Sequence, residues 1–256
     1  MEKNSLDTIQ DLQLEDIKKK SIRAVFSLTG RRIILRIIGQ ISFIILVRII
    51  NPSDLGLFTI VSFVVNFFGF FSDVGLAGAL IQKKEVTKKD LQTTFTIQQV
   101  LVGSLVLIII ILAPFIVNTF YKSTLGSSDV ILIQALAVSL LLASLKSVPS
   151  VILERKLEFN KLVIPEIVET LIYNAVLIGM VLQGYRVWSF VSAVLIRGVV
   201  GVVIMYSLVR FPVGFLFDKK SLKALMKFGL PYQLNGLIAL IKDNIVPTFI
   251  GATLGT

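Results

Sequence analysis

Seven long runs of apolar residues constrain the fold of this 256-residue chain more than any other feature. Each run is about 20 residues or longer, which is the length that an α-helix needs to cross the hydrocarbon core of a bilayer. A strand of a transmembrane barrel would instead show about ten residues of alternating polarity. The sequence therefore predicts an all-α polytopic membrane protein. The predicted spans are Val25–Ile50, Leu57–Leu76, Phe95–Phe120, Ile131–Leu153, Val163–Leu182, Val187–Val209 and Phe228–Leu254.

Composition narrows the class of protein further. Only 16% of the residues are charged, whereas soluble domains carry about a quarter. The chain contains no cysteine and no histidine, which excludes disulfides, thiolate or imidazole metal sites, and Ser-His or Cys-His catalytic pairs. The loops between the apolar runs are too short for a catalytic domain. We therefore expect neither an enzyme nor a bound cofactor or metal.

The lysines and arginines are distributed unequally between the two ends of the predicted helices. The net charge is +10, and most basic residues fall on the side that holds the amino terminus and the loops near Lys84, Lys156 and Lys220. The opposite loops hold only Lys122 and Arg186. The positive-inside rule then predicts a multi-pass membrane protein with a cytoplasmic amino terminus. The bilayer explains the basicity, so no nucleic-acid partner is expected.

The sequence predicts four parts in chain order. Residues 1–22 form a cytoplasmic amphipathic segment, 23–210 a six-helix transmembrane lobe, 211–227 a cytoplasmic linker, and 228–256 a seventh transmembrane helix. In the linker region, lysines alternate with Leu222, Leu225 and Met226 at helical spacing, as in a helix that lies on an anionic membrane surface. Ordinary cytoplasmic anchoring explains the same pattern.

Charged residues interrupt several of the apolar runs on faces that otherwise carry small and polar side chains. A charge at the bilayer centre costs about 2.5–3.5 kcal/mol on insertion scales, so it usually faces a cavity or a partner. The alternatives are helix packing for the uncharged residues and snorkelling for charges near helix ends. The basic candidates for binding an anionic substrate are Arg36, Arg197, Arg48, Lys146 and Arg32. The carboxylates that could couple to an H⁺ or Na⁺ gradient are Asp73, Glu166 and Glu169.

Four motifs in order resemble those of bacterial polysaccharide and O-antigen flippases (the Wzx type). These proteins belong to the multidrug/oligosaccharidyl-lipid/polysaccharide exporter superfamily. The segment Arg48–Phe58 resembles the A-R-x-L-x-P-x-x-Y-G-L-F turn of that family, with Leu55 in place of the usual Tyr. The other matching segments are Phe71–Leu76 with Ala79–Lys83, Pro149 with Leu153–Phe159, and Lys227–Pro231. The seventh run departs from the family at Ala252 and Thr256, where a basic residue and Pro are common.

The resemblance implies a fold of two six-helix lobes around a cavity that opens alternately to either side of the membrane. It implies export of polyprenyl-pyrophosphate-linked oligosaccharides for O-antigen, capsule or exopolysaccharide, with Arg36 and Arg48 matched by position to the pyrophosphate. Polysaccharide polymerases and glycosyltransferases are then the expected partners. The alternatives are a drug or metabolite cation antiporter of the same fold and a non-transporting scaffold of envelope assembly. A membrane-embedded glycosyl polymerase or ligase is disfavoured, because it would need a large outer loop with catalytic groups and the predicted outer loops are short.

The seventh run repeats the opening of the first. Val47–Pro52 closes the first run much as Ile250–Thr256 closes the seventh, as in transporters that are built from repeated halves. The seventh helix is therefore expected to start a second lobe that is absent from this chain. We expect either a fragment of a longer transporter or a half-transporter that works as a homodimer.

Overall fold

The computed structural model describes residues 30, 33–51, 55–56, 59, 69–70, 75–120, 127–209 and 214–254, with backbone alone at 116–120, 127–129, 240–241 and 243–254. The described residues form helices and loops without strands. The helices are α1 (33–49), α2 (Leu76–Gln82), α3 (Lys88–Phe120), α4 (Ser127–Arg155), α5 (Phe159–Leu182), α6 (Trp188–Leu208) and α7 (Lys219–Leu254).

Four described helices are long and apolar enough to cross a membrane. These stretches are Lys88–Phe115, Val130–Arg155, Phe159–Leu182 and Trp188–Leu208. The prediction of an all-α polytopic membrane protein is confirmed. Most of the second predicted span and the whole amino-terminal segment lie outside the described residues, and the predicted domain boundaries stay predictions.

Helix α3 begins at Lys88, seven residues before the predicted span. Thr87 and Asp90 cap its amino terminus reciprocally: the Thr87 amide donates to Asp90 Oδ2 at 2.9 Å, and the Asp90 amide donates to Thr87 Oγ1 at 3.2 Å. This is a capping box with Asp in the place of the usual Glu. Because the first turns of α3 are polar, the apolar run alone could not reveal where the helix starts.

Helix α7 is continuous over 36 residues and joins the linker segment to the seventh predicted span. Asp218 caps it by accepting a hydrogen bond from the Ser221 amide at 2.8 Å, and this bond holds the pKa of the Asp218 carboxyl below its ordinary value. Leu225 is buried, and Met226 packs against the same cluster. The amphipathic pattern at 219–228 thus belongs to a helix whose apolar side packs against protein.

The chain divides into two compact units. The first combines the described residues between 30 and 56 with 153–208, and its core joins Leu46 and Ile50 of α1, Leu177 and Val181 of α5, and Phe190 and Ala193 of α6. The second combines the described residues between 59 and 152 with those between 209 and 254. Its core joins Leu76, Ala79 and Leu80 of α2, Val151 of α4 and Leu225 of α7. In both units, helices that are distant in sequence share one apolar core.

Candidate functional site: polar faces of the membrane helices

Helices α5 and α6 of the first unit pack closely along a stripe of small residues. The stripe on α6 consists of Ser189, Ala193 and Gly201, which are four and eight positions apart and are all buried. Small side chains let two transmembrane helices approach closely. Arg197 lies on the same stripe, yet its side chain is exposed. The stripe therefore serves packing, and the arginine extends from its edge.

The Arg197 guanidinium lies over the ring of Tyr173, 5.4 Å from the ring centroid. Tyr173 is itself partly buried against the apolar core of the first unit. Arg197 is nine residues from the start of α6, about 14 Å along the helix axis, which places the charge near the middle of a span. A cation–π contact orients the plane of a guanidinium and leaves its N–H donors available for a phosphate.

Two further predicted basic residues, Arg36 and Arg48, lie on α1 of the first unit. Both side chains are exposed. Twelve residues separate them, so they lie about 18 Å apart along the axis and about 120° apart around it. The helix thus presents the two arginines at different levels and on different faces. The further candidates Arg32 and Asp73 lie outside the described residues.

The predicted ion-coupling carboxylates of α5 lie on the side of the helix that carries Tyr173. Glu166 is exposed and Glu169 is half-buried. Two neighbouring polar side chains bond to the helix's own carbonyls: Thr170 Oγ1 donates to Glu166 O at 2.8 Å, and Asn174 Nδ2 donates to Thr170 O at 2.7 Å. These two side chains satisfy their donors locally, so the polar character of this face rests mainly on the two carboxylates.

In the second unit, α3 and α4 are joined by hydrogen bonds between polar side chains. Gln98 Nε2 donates to Ser147 Oγ at 2.9 Å, and Ser144 Oγ approaches Gln99 Oε1 at 3.2 Å. We call these four residues the glutamine–serine bridge. Hydrogen bonds of this kind hold transmembrane helices together. The predicted candidate Lys146 lies between the two serines in sequence and is half-buried.

Sequence reasoning missed the glutamine–serine bridge. The predicted third span began at Phe95, and no polar face was assigned to it. The available signal was the composition of residues 90–99, where seven of ten positions are polar. That stretch precedes the purely aliphatic part of the helix, so a criterion based on apolar runs passes over it. Within the described ranges, no group of three or more carboxylates could hold a metal ion.

Residues 45–256 match the family described as polysaccharide biosynthesis protein, and the chain belongs to this family of membrane proteins. The family resemblance of the four sequence motifs is thereby confirmed. Arg48, Lys146, Glu166, Glu169 and Arg197 lie within the matched region, whereas Arg36 precedes it.

Three curated relatives are similar over parts of the chain. The teichuronic acid biosynthesis protein TuaB of Bacillus subtilis is 25% identical over 187 residues, which are 72% of this chain and 38% of the relative. The lipopolysaccharide biosynthesis protein WzxC of Escherichia coli is 26% identical over 49% of this chain and 25% of the relative. An uncharacterized membrane protein in the cps region of Klebsiella pneumoniae is 27% identical over 43% of this chain and 22% of the relative. The matches thus span less than two fifths of each relative.

One solved structure shows the fold. An outward-facing multidrug resistance transporter of the MATE family, a member of the MOP superfamily, aligns with a TM-score of 0.57 at 18% identity. The alignment covers 84% of this chain and 52% of that transporter. The described helices therefore share the fold of part of a MATE transporter.

Proposed function

We propose that this chain is part of a membrane transporter that moves a lipid-linked oligosaccharide from the cytoplasmic to the outer leaflet of the bacterial cytoplasmic membrane. The observation that carries the proposal is the Arg197 guanidinium, exposed at mid-helix and stacked on Tyr173. Membership of the polysaccharide biosynthesis family and the MATE-like fold support it. The function proposed is transport rather than enzymatic catalysis.

The chemistry of Arg197 fits a pyrophosphate. A guanidinium at the bilayer centre is costly when it faces lipid tails, so an exposed arginine at mid-span calls for an anionic partner. Guanidinium binds phosphate oxygens through two parallel N–H donors, and the Tyr173 ring holds one face of the group without using those donors. A substrate with a pyrophosphate between a lipid tail and a sugar provides the matching anion.

The other predicted site residues take secondary roles in this proposal. Arg36, Arg48, Arg32 and Lys146 would offer further positive charge along the substrate's path. Asp73, Glu166 and Glu169 would exchange a proton or bind Na⁺ and so couple transport to an ion gradient. The glycosyltransferases that build the oligosaccharide and the polymerase that consumes it are the proposed partners.

A cation antiporter is the second candidate, because the solved structure that shares the fold is a multidrug transporter. The two candidates require opposite charges at the site. A cationic drug would be repelled by Arg197, whereas a pyrophosphate would be attracted. Binding measurements with the two kinds of ligand therefore separate the candidates.

The test measures binding of a polyprenyl pyrophosphate to the purified chain, together with export of polysaccharide in a strain that lacks its flippase. Arg197→Ala should weaken binding at least tenfold, and Arg197→Lys should restore it in part because an ammonium lacks the bidentate fork. Tyr173→Phe keeps the aromatic face and should bind like the native chain, whereas Tyr173→Leu should not.

Val199→Ala provides the matched control, since Val199 is exposed on the same helix. It should leave binding and membrane levels unchanged. Native affinity in both Arg197→Ala and Tyr173→Leu would refute the proposed role of the pair. Tighter binding of an organic cation than of the pyrophosphate would favour the antiporter.

A further inference from the structure

A cleft of about 160 Å³ opens between α2 and α7 in the second unit, whereas the Arg197–Tyr173 pair belongs to the first unit. Apolar atoms and two polar side chains line it together: Ala79, Gln82, Lys83, Ala224, Leu225 and Phe228. Gln82 and Lys83 stand at the carboxyl end of α2, and Ala224 and Phe228 are one turn apart near the amino end of α7. The cleft is therefore polar at one edge and apolar along its length.

Lysines are abundant in the two segments that adjoin the cleft. The two adjoining segments, 83–90 and 218–227, hold eight lysines and three carboxylates. Two of the carboxylates are engaged within the protein, because Asp90 accepts an ion pair from Lys83 at 2.6 Å and Asp218 caps α7. Lys223 and Lys227 are exposed and directly precede the lining residues Ala224 and Phe228. Lys227 is also the i+3 neighbour of Ala224 and Lys223 the i−4 neighbour of Lys227, so the two lysines bring positive charge to the side of α7 next to the cleft.

The face of α7 that carries these two lysines, which is next to the cleft-lining face, changes from basic to aliphatic along the helix. Lys223 and Lys227 are followed at steps of three and four residues by Leu230, Leu234 and Ile238, which are all exposed. Residues at these steps share one helix face. Lysines at headgroup level above a strip of exposed aliphatic side chains match the two chemical halves of a membrane phospholipid.

We propose that this cleft binds one anionic phospholipid of the surrounding bilayer. Its headgroup occupies the cleft beside Gln82 with the phosphate on the lysines at the basic end of α7, and one acyl chain descends along the adjacent aliphatic strip. Basic pockets between transmembrane helices bind anionic headgroups. The proposal concerns the second unit alone and does not depend on what the protein transports.

The experiment is native mass spectrometry of the full chain released from nanodiscs of phosphatidylglycerol mixed with phosphatidylcholine. The native chain should retain one phosphatidylglycerol in preference to phosphatidylcholine. The double variant Lys223→Gln/Lys227→Gln should lose affinity by about fivefold for each lysine removed. Ala224→Phe, which fills the cleft and leaves every charge in place, should also displace the bound lipid.

Lys156→Gln is the matched control, because Lys156 is equally exposed but lies in the first unit. It should retain the lipid, and circular dichroism should show all variants equally helical. Retention of the lipid by Ala224→Phe would overturn the site, since the lysines would then act as a diffuse surface charge. Preferential binding of a polyprenyl diphosphate, or displacement of the lipid by inorganic pyrophosphate, would overturn the assignment to phospholipid.

Discussion

At the scale of single residues, Asp90 joins the segment that follows α2 to the first turn of α3. Its side chain is 1% exposed. It accepts hydrogen bonds from the amide and hydroxyl of Thr87 and an ion pair from Lys83. A buried carboxylate is tolerated only when charged and hydrogen-bonding partners replace water. One acidic side chain thereby fixes the end of the loop after α2 against the first turn of α3.

Removal of the Thr87 hydroxyl should destabilise the chain. Thr87→Ala eliminates half of the capping box, and loss of such a cap costs about 1 kcal/mol of unfolding free energy. Thr87→Ser keeps the hydroxyl and should restore most of that stability. Denaturant unfolding in mixed micelles, followed by circular dichroism, measures the difference.

Ser104→Ala is the control for this prediction. The Ser104 hydroxyl bonds only to the carbonyl of Val100 in its own helix, so its loss should leave stability nearly unchanged. Equal midpoints for Thr87→Ala and the native chain would show that the capping box contributes nothing.

At the scale of elements, residues 215–218, which directly precede α7, are bound along the first turns of α3. The hydroxyl of Thr93 accepts a hydrogen bond from the Asp218 amide at 3.2 Å, and the hydroxyl of Thr96 accepts one from the Leu216 amide at 3.0 Å. The Phe215 ring packs against Phe95, with 5.9 Å between centroids. These bonds give two backbone amides outside the helices side-chain partners.

The start of α2 and helix α7 contact each other at two glycines, Gly75 and Gly229. Gly75 has a positive φ of 74°, and a Cβ at this position would overlap the carbonyl oxygen of Gly229. Three residues on, Gly78 lies against the ring of Tyr232. Gln233 Nε2 donates to the carbonyl of Phe70 at 2.7 Å. Only glycine satisfies both the backbone angle and the close approach at position 75.

Gly75→Ala should therefore destabilise the second unit by more than 1 kcal/mol, because the new methyl group meets backbone and the φ is strained. Gly103→Ala is the matched control: a Cβ at Gly103 meets nothing within 4 Å, and alanine in a helix interior is favoured by up to about 1 kcal/mol. Thermal unfolding of both variants in detergent measures the contrast. If Gly75→Ala lost less stability than Gly103→Ala, the close approach of Gly75 to Gly229 would be contradicted.

The elements were more predictable from the sequence than their contacts. The apolar runs located the boundaries of the four described spans within a few residues, except at the polar start of α3. Hydropathy responds to the part of a helix that crosses the bilayer. They could not show that Leu225 is 1% exposed while Leu230 is 46% exposed on the same helix. In lipid, protein-facing and tail-facing positions are equally apolar. The Arg197–Tyr173 contact could not be predicted either. The sequence places the two residues on different helices and does not show how those helices are aligned along their axes.

At the scale of the whole molecule, each unit assembles helices from distant parts of the chain, and charge at the helix ends determines their orientation. The loop around Lys84 belongs to the second unit and the loop around Lys156 to the first. Both lysines are exposed, as is Lys220 at the start of α7. By the positive-inside rule, all three should face the cytoplasm.

Single-cysteine labelling tests this orientation, and the native chain contains no cysteine to interfere. Lys84→Cys, Lys156→Cys and Lys220→Cys should resist a membrane-impermeant maleimide in intact cells and react after permeabilisation. Tyr185→Cys, in the exposed loop between α5 and α6, should react in intact cells. Labelling of position 84 or 156 from outside would invert the proposed topology.

The continuity of α7 has a mechanical consequence. A helix of 36 residues is about 54 Å long, whereas the hydrocarbon core of a bilayer is about 30 Å thick. Its amino-terminal third packs on α2, where Gly75 meets Gly229 and Gly78 meets Tyr232, and the Asp218 amide before it donates to the Thr93 hydroxyl of α3. Beyond Gln233, which donates to Phe70, 21 residues of the same continuous helix remain, about 32 Å. Because this part is one rigid helix, a tilt of about 5° at its fixed end displaces its far end by about 3 Å.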